Sequence, residues 1–217
     1  MRIDIWADVV CPWCYIGKRR LESALASFEH RDEVEVVWHS FELDPDAPRH
    51  GTETVPQMLG RRYGGGEEAG LRMIAQVDEI ARGEGLVLDQ TRALHTSSRD
   101  AHRLLHLARA EGAPGAQGDL EERLLSAYFV EGRDIADHAV LAELGAAVGI
   151  DAQRVAEVLE GDELAAAVAA DVAQARAYGA TGVPFFVVDS RYGISGAQPT
   201  ELFTDVLARA WGERAPA

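Results

Sequence analysis

The sequence DVVCPWC, residues 8–14, contains both cysteines of the 217-residue chain, separated by two residues, with a proline directly after the first. An apolar, β-rich run precedes this motif over residues 3–10, and a pattern typical of a helix follows over residues 12–29. A C-x-x-C motif where a strand meets a helix is typical of thiol–disulfide exchange sites. The sequence therefore predicts a redox-active pair, Cys11 and Cys14.

The two cysteines are expected to act differently because the helix places them in different surroundings. Pro12 suits the first position of a helix, where a missing N–H costs nothing. Unpaired backbone N–H groups and the positive end of the helix dipole would then face the Cys11 sulfur and favour its thiolate. Cys14 lies one turn deeper, on the apolar stripe of Leu21 and Leu25. We therefore expect Cys11 to be the exposed attacking thiol and Cys14 the shielded resolving thiol.

Two other uses of a C-x-x-C motif fit the chain less well. A zinc site needs two further ligands, usually a second pair of cysteines, and the chain has no third cysteine. His102 and His106 have a ligand-like spacing but lie far along the chain, on a predicted helix. A structural disulfide across so small a loop would restrain the unfolded chain only a little. The sequence thus predicts no metal site and favours redox chemistry.

Composition narrows the partners and the location. A formal net charge of −15 argues against nucleic acid or an anionic membrane surface as a partner. No apolar run approaches the length of a membrane span. Residues 1–5, MRIDI, fit a first strand better than a signal or transit peptide. Because no cysteine lies outside the motif either, we predict a location in the reducing cytoplasm.

The order of predicted elements indicates an α/β fold. It runs strand, helix, strand up to residue 43, then almost only helix from about residue 55 to 179, then two short strands and a last helix. A strand–helix–strand start suits a parallel pair of strands. Several predicted helices open with an aspartate, a preferred N-cap residue. The predicted helices of the middle part cover residues 57–63, 67–83, 97–110, 119–130, 137–148, 151–159 and 162–178.

This plan resembles the thioredoxin fold (β-α-β … β-β-α) interrupted by a large all-helical insertion, as in DsbA-like oxidoreductases. The resemblance covers nearly the whole chain and is closest to the cytoplasmic FrnE-type dithiol-disulfide isomerase branch. Five motifs carry the resemblance. The motifs at 11–17 and 182–186 are specific in combination, and the other three support the assignment to the FrnE-type branch. The motifs are CPWCYIG at 11–17, FELDP at 41–45, AHRL at 101–104, YFVEG at 128–132 and GVPFF at 182–186.

The resemblance implies a division into two domains. A discontinuous thioredoxin-like domain would comprise residues 1–50 and 179–217, and a helical insertion domain residues 51–178.

It also implies a set of residues around the cysteines. The Val183–Pro184 peptide bond would be cis and lie beside the C-x-x-C, with Pro184 against the sulfurs and the Val183 backbone available to an extended substrate. Pro12 and Trp13, between the cysteines, would support the site, and Trp13 would tune its potential. His102 and Arg103, from the insertion, would line the substrate cleft.

The predicted function is that of a cytoplasmic thiol–disulfide oxidoreductase or isomerase. We expect no bound cofactor: the redox-active disulfide itself carries the electrons, with glutathione as a candidate co-substrate. Partners would be proteins or small molecules that contain thiols or disulfides. The natural substrate, the direction of electron flow and the oligomeric state stay open.

Two alternatives belong to other classes. One is a glutathione-dependent isomerase or transferase, similar to kappa-type transferases and hydroxychromene-carboxylate isomerases, acting on a small aromatic substrate. These relatives typically have serine at the position of Cys11, so the cysteine argues against that chemistry. The other is a redox-sensing module in which the disulfide only changes the shape of the protein.

Overall fold

A computed structural model describes residues 1–214 of the chain. Within this range, four strands form one mixed sheet in the order β2-β1-β3-β4. Strand β1 is parallel to β2 and antiparallel to β3, which forms a hairpin with β4. Ile5 of β1 pairs with Trp38 on one side and with Phe186 on the other. The strands are β1 (Arg2–Ala7), β2 (Glu35–Ser40), β3 (Phe185–Val188) and β4 (Tyr192–Ser195).

Helix α1 (Pro12–Ala26) follows β1, and helix α9 (Thr200–Gly212) follows β4. A short 3-10 turn at Arg31–Glu33 leads into β2. The predicted α/β order is confirmed: β-α-β, then helices, then β-β-α. The helices between β2 and β3 are α2 (Val55–Tyr63), α3 (Gly66–Gly83), α4 (Arg99–Glu111), α5 (Ala116–Phe129), α6 (His138–Ala147), α7 (Ala152–Glu160) and α8 (Ala165–Ala177).

Several boundaries differ from those predicted. Strand β1 ends at Ala7, which pairs with Ser40, the last residue of β2. Val9 and Val10 lie in the turn before α1 instead of in the strand, although Val9 is fully buried. Their apolar character reflects packing against the helices and not pairing in the sheet.

Predicting a helix start at an aspartate was correct for two helices and wrong for two others. Asp137 and Asp151 cap α6 and α7, accepting hydrogen bonds from backbone N–H groups of the first turn. Helix α8 begins only at Ala165, because Leu164 adopts a left-handed conformation with φ 66° directly before it. Helix α5 begins at Ala116, three residues before Asp119.

The two faces of the sheet carry different neighbours, as the alternation of side chains along a strand requires. Ile3 and Ile5 pack with α1 and α9, in a cluster that includes Phe203. Trp6, on the opposite face, packs against α8 through Ala175.

No helix in the described part of the chain combines the length and apolar character needed to span a membrane.

A larger cluster links α1 to the helices between β2 and β3. It contains Tyr15 and Ile16 of α1 together with Leu104 of α4 and Leu124 and Phe129 of α5. Because residues of both predicted domains share this core, the division into 1–50 with 179–217 and 51–178 stays a prediction.

A buried polar cluster fastens α8 to the sheet. The His39 ring lies between two carboxylates, with Nδ1 2.9 Å from Asp171 and Nε2 2.7 Å from Asp4. Trp6 stacks on this ring at 4.5 Å between centroids and donates its indole N–H to the Asp171 carbonyl oxygen.

Asp171 has two further partners, the Ser40 backbone N–H at 2.9 Å and the His106 ring at 3.1 Å. Burial would raise the pKa of this carboxyl, but the hydrogen bonds from His106, His39 and Ser40 outweigh it and hold the pKa below its usual range. The carboxylate therefore stabilises the folded chain at neutral pH.

Asp171→Asn keeps the shape of the side chain and removes its charge. We expect the free energy of unfolding to fall by about 2 kcal/mol at neutral pH, the magnitude of hydrogen bonds to a charged group. The stabilisation is complete above the ordinary carboxyl pKa of 3.8 and is lost as the pH falls further, so the difference between the proteins should shrink in acid. Urea unfolding at several pH values measures this.

The exposed Asp162, next to α8, provides the matched control. Asp162→Asn should change the free energy of unfolding by no more than about 0.5 kcal/mol. Equal effects of the two substitutions would show that the cluster contributes nothing to stability.

Candidate active site

The turn between β1 and α1 positions the cysteine pair. Cys11 is the N-cap of α1 and Pro12 its first residue. The Cys11 N–H donates to the Asp8 carbonyl oxygen at 2.9 Å, and the Cys11 carbonyl oxygen accepts from the Cys14 N–H at 3.0 Å. Both thiols are free. The pair is therefore fixed at the beginning of the helix, as the motif predicts.

Cys11 is less exposed than expected. Its exposed fraction is 4%, against 1% for Cys14, so the expectation of an exposed Cys11 is wrong. Both cysteines belong to the apolar cluster of the sheet and α1, and Val183 packs against that cluster. Cys11 differs from Cys14 in lining a cavity, through which a substrate could reach its sulfur.

Val183 lies beside Cys11, and Pro184 follows it. The Cys11 thiol donates to the Val183 carbonyl oxygen at a sulfur–oxygen distance of 3.7 Å, and the Val183–Pro184 peptide bond is cis. Pro184 packs against α1 at Gly17, where a Cβ atom would lie 3.0 Å from its ring. Among residues 1–214, the Val183 backbone makes no hydrogen bond to another backbone group.

The cavity beside Cys11 has a volume of about 320 Å³ and mainly apolar walls. Trp13 lies at it with an exposed fraction of 38%. Two of the three methionines, Met58 and Met73, lie in the wall formed by α2 and α3. Phe129, at the end of α5, lies in the wall formed by the other helices.

Helices α2 and α3 approach each other closely through two glycines. A Cβ atom on Gly60 would lie 2.0 Å from the Gly66 carbonyl oxygen, and one on Gly70 would lie 2.0 Å from the Pro56 carbonyl oxygen. No larger residue fits at either position without moving a helix. The two helices therefore form one tightly packed wall of the cavity.

The cavity has few charged groups. The Asp44 carboxylate lies 3.0 Å from Nε2 of the His95 ring and 3.6 Å from the guanidinium of Arg62. These three residues line the same cavity, as does Asp8. The sequence motif 41–45 contains Asp44, but nothing in the pattern indicated the other two.

His102 does not line the cavity, contrary to the prediction. Its ring is buried, with an exposed fraction of 1%. Nε2 lies 3.3 Å from the Asp8 carboxylate and 3.1 Å from the Phe41 carbonyl oxygen. The ring is thus held behind the turn that carries the cysteines.

The predicted place of Arg103 in the cleft is also wrong. Its buried guanidinium donates to Asp100 and to backbone carbonyl oxygens of the α7–α8 connection, among them Gly161 at 2.6 Å and Glu163 at 2.8 Å. These carbonyl groups have no helix partners of their own, which explains why a buried guanidinium is needed there. Arg103 is a structural residue of the helical part.

Asp8 and Glu121 are buried acidic residues that the sequence motifs did not indicate. Asp8 is fully buried and accepts the Leu43 N–H at 2.8 Å and the Val10 N–H at 3.4 Å. Glu121 lies on α5 with an exposed fraction of 1%. Its spacing to Leu124 places it on the apolar stripe of the helix, a signal that could have found it.

Burial changes the ionisation of the groups behind the cysteines. It raises the pKa of Cys14 well above the usual value and that of Glu121 to about 7. Burial alone would lower the pKa of His102, but the hydrogen bond and charge of Asp8 outweigh it and raise that pKa. Glu121 therefore exchanges its proton near neutral pH.

The adjacent carboxylate, Glu122, serves a different purpose. It accepts the Tyr15 hydroxyl at 2.7 Å and the Lys18 ammonium at 2.6 Å, and it pairs with Arg19. Burial would raise its pKa, but the hydrogen bonds from Arg19, Lys18 and Tyr15 lower it to about 2. Glu122 thus ties α1 to α5.

Glu121→Gln should stabilise the protein at neutral pH. The unfolded Glu121 carboxyl ionises near 4.5 and the folded one near 7, so the folded state keeps a proton that the unfolded state has lost. We expect the wild type to lose about 3 kcal/mol relative to Glu121→Gln as the pH rises through this window. Urea unfolding across the window measures the difference.

Glu122→Gln is the control, because the lowered pKa of Glu122 means that this substitution changes the free energy of unfolding at neutral pH in the opposite direction. That variant should be less stable than the wild type at neutral pH, with the difference shrinking in acid. Parallel stability profiles for the wild type and Glu121→Gln would show that Glu121 ionises as an ordinary carboxyl.

Comparisons with known proteins agree with this architecture. The family model of the DSBA-like thioredoxin domain matches residues 2–208. The crystal structure of a probable DsbA oxidoreductase from Streptomyces coelicolor is 44% identical and covers 100% of this chain and 92% of its own, with a TM-score of 0.91.

Two further relatives are more distant. The structure of the cytosolic disulfide reductase DsbM from Pseudomonas aeruginosa is 25% identical, with a TM-score of 0.63 and coverage of 99% of this chain and 100% of that one. The uncharacterized protein YwbO of Bacillus subtilis is 26% identical over 162 residues, which are 74% of this chain and 72% of that protein. The resemblance to DsbA-like proteins is confirmed: this chain belongs to the DSBA-like thioredoxin domain family, the DsbA-like thiol oxidoreductases.

Proposed function

We propose that this protein exchanges disulfides through the Cys11–Cys14 pair. One observation carries the proposal: the Cys11 sulfur, at the N-cap of α1, lies at the cavity and beside the Val183 carbonyl, with Cys14 buried one turn behind it. This is the arrangement that an attacking and a resolving thiol require.

The reaction begins when the Cys11 thiolate attacks one sulfur of a substrate disulfide. A mixed disulfide forms between Cys11 and the substrate, and the other substrate sulfur leaves as a thiolate. Cys14, as a thiolate, then attacks the Cys11 sulfur, forms the Cys11–Cys14 disulfide and releases the second substrate thiol. Two electrons pass from the cysteines to the substrate, and the reverse sequence oxidises a dithiol. The protein disulfide is the electron carrier, and no bound cofactor takes part.

The surroundings of Cys11 favour substrates with an extended, partly apolar segment. The Val183 backbone, which pairs with no other backbone group among residues 1–214, can pair with such a segment, as in strand addition. The apolar cavity can take a side chain next to the reacting sulfur. Trp13, exposed at the cavity, adds apolar contact area. Proteins with accessible disulfides and small disulfides, including glutathione disulfide, both fit this description.

We further propose a place in the cytoplasm and in the FrnE-type isomerase branch. Both cysteines lie within the motif, as is usual for chains in a reducing compartment. The relative DsbM is described as cytosolic. The FELDP and YFVEG motifs at 41–45 and 128–132 support the branch. The net charge of −15 argues against nucleic-acid and membrane partners.

Cys14→Ser should accumulate mixed disulfides with substrates, because Cys11 can still attack but nothing resolves the product. Cys11→Ser should trap none, since the buried Cys14 has a raised pKa and no opening to the cavity. Non-reducing gels and mass spectrometry of cell extracts show the trapped species. Trapping by Cys11→Ser but not by Cys14→Ser would reverse the two roles.

A redox titration of the cysteine pair in glutathione buffers tests the exchange mechanism itself. A reversible two-electron couple near about −120 to −180 mV would identify an oxidant or isomerase, and one near about −270 mV a reductase. Alkylation followed by mass spectrometry measures the oxidised fraction, and Cys14→Ser provides the baseline.

The rival candidate is a glutathione-using isomerase or transferase, which the apolar cavity beside Cys11 also suits. In that case no internal disulfide would form at any redox poise, and activity would survive the loss of Cys14. Saturable glutathione binding together with an unreactive cysteine pair would decide for this rival.

A further inference from the structure

The cavity beside Cys11 contains one cationic side chain that is not held by a matching anion. Among residues 1–214, Arg62 is the single arginine or lysine that lines this cavity. It lies in the last turn of α2, and half of its side chain is exposed. Its guanidinium is 3.6 Å from the Asp44 carboxylate, which is longer than a hydrogen bond. The N–H donors of Arg62 are therefore available to another acceptor.

The preceding residue, Arg61, shows what a satisfied arginine looks like on the same helix. Its guanidinium donates to both carboxylate oxygens of Glu53, each at 2.8 Å, the paired geometry that arginine and a carboxylate favour. Arg61 does not line the cavity. Either arginine is favourable near the carboxyl end of a helix. The helix end alone therefore does not explain why Arg62 lines the cavity without such a partner.

The acidic groups at the cavity are already engaged with other partners. The Asp44 oxygen nearest to Arg62 is also the one that lies 3.0 Å from Nε2 of His95. Asp8 is fully buried, and both of its carboxylate oxygens accept backbone N–H groups. A molecule that enters the cavity can thus bind the Arg62 guanidinium without breaking a hydrogen bond of the protein.

The rest of the cavity indicates what else such a molecule carries. Its walls are mainly apolar, and Trp13 and Tyr63, exposed by 38% and 65%, line it together with Arg62. A guanidinium in such surroundings suits a planar carboxylate attached to an apolar or aromatic group. The net charge of −15 repels anions in general, so a substrate with a carboxylate needs a local cation at this place.

We propose that Arg62 is a specificity-determining residue that binds a carboxylate of the disulfide substrate while Cys11 attacks its sulfur. The inference rests on the proposed function and names its substrate class: disulfides with an apolar group beside the sulfur and a carboxylate beyond it. An acidic side chain of a peptide and a small organic acid share this chemistry. The exchange step is unchanged, since the Cys11–substrate bond forms while the substrate disulfide breaks and the second sulfur leaves as a thiolate.

The test compares two aromatic disulfides that differ in charge. Dithiobis(nitrobenzoate) carries a carboxylate on each ring, and 4,4′-dithiodipyridine carries none; stopped-flow absorbance follows the first coloured thiol released from each by Cys11. Arg62→Gln should slow the reaction with dithiobis(nitrobenzoate) by at least about fivefold, the loss of a charged hydrogen bond at a half-exposed site. The reaction with dithiodipyridine, which reports the reactivity of Cys11 itself, should change by less than about twofold.

Arg61→Gln is the matched control, because it removes the same charge from the next residue. Both of its rates should stay within about twofold of the wild type. Arg62→Lys keeps the charge without the planar pair of donors and should react with dithiobis(nitrobenzoate) at an intermediate rate. Equal slowing by Arg61→Gln and Arg62→Gln would show that net charge alone matters and would overturn the inference.

Asp44→Asn should act in the opposite direction. It removes the carboxylate that competes for Arg62, so the reaction with dithiobis(nitrobenzoate) should become at least about twofold faster, again with little change for dithiodipyridine. Damage to the fold would not accelerate one reagent and spare the other. A slower reaction of Asp44→Asn with the anionic reagent, together with a faster one of Arg62→Gln, would contradict the assignment.

Two peptide disulfides identify the source of the carboxylate. They differ only in glutamate or glutamine beside the cysteine, and Cys14→Ser, with or without Arg62→Gln, traps their mixed disulfides for mass spectrometry. A preference for the glutamate peptide that Arg62→Gln abolishes assigns the carboxylate to peptides. No such preference, with discrimination between the aromatic reagents kept, assigns it to small acids. If Arg62→Gln changes neither comparison, the inference fails while disulfide exchange stands. Failure of the wild type to react with any of these disulfides would instead overturn the proposed function.

Discussion

One buried carboxylate holds the turn on which the cysteine pair depends. Asp8 follows β1 directly, is fully shielded from solvent, and accepts backbone N–H groups from Leu43 and Val10 while facing His102. Hydrogen bonds to a charged group contribute about 1.5–3 kcal/mol each, more than neutral ones. They join the turn, the segment after β2 and helix α4. These contacts help to fix the beginning of α1, and Cys11 with it.

The helices between β2 and β3 do more than cover the sheet. Helix α5 presents two consecutive carboxylates, and because neighbouring residues of a helix point about 100° apart, they meet different surroundings. Glu121 faces the buried region near His102, whereas Glu122 binds cations and a hydroxyl of α1. One helix thus both fixes the active-site helix and contributes an ionisable group behind it.

The fold could be predicted from sequence because periodicity and turn residues report on local structure. The placement of His102 could not, since a histidine in a helix has the same pattern whether it faces a cleft or a buried carboxylate. The prediction of an exposed Cys11 was wrong for a similar reason: Val183, 172 residues away in the sequence, packs against this cysteine and covers it. Glu121 is different, because a charged residue on an otherwise apolar helical stripe was visible in the sequence. Long-range packing, not local preference, decided what the sequence left open.

The wall of the cavity has a consequence for the range of molecules that the protein accepts. Its backbone is rigid, since Gly60 and Gly70 bring α2 and α3 into direct contact. Its inner surface is soft, since Met58 and Met73 have unbranched, polarizable side chains that adapt to different shapes. A rigid backbone lined by adaptable side chains suits the binding of several different substrates more than the binding of a single one. Replacing those two side chains with branched ones would reduce the range of substrates that fit the cavity without altering the chemistry of the sulfurs.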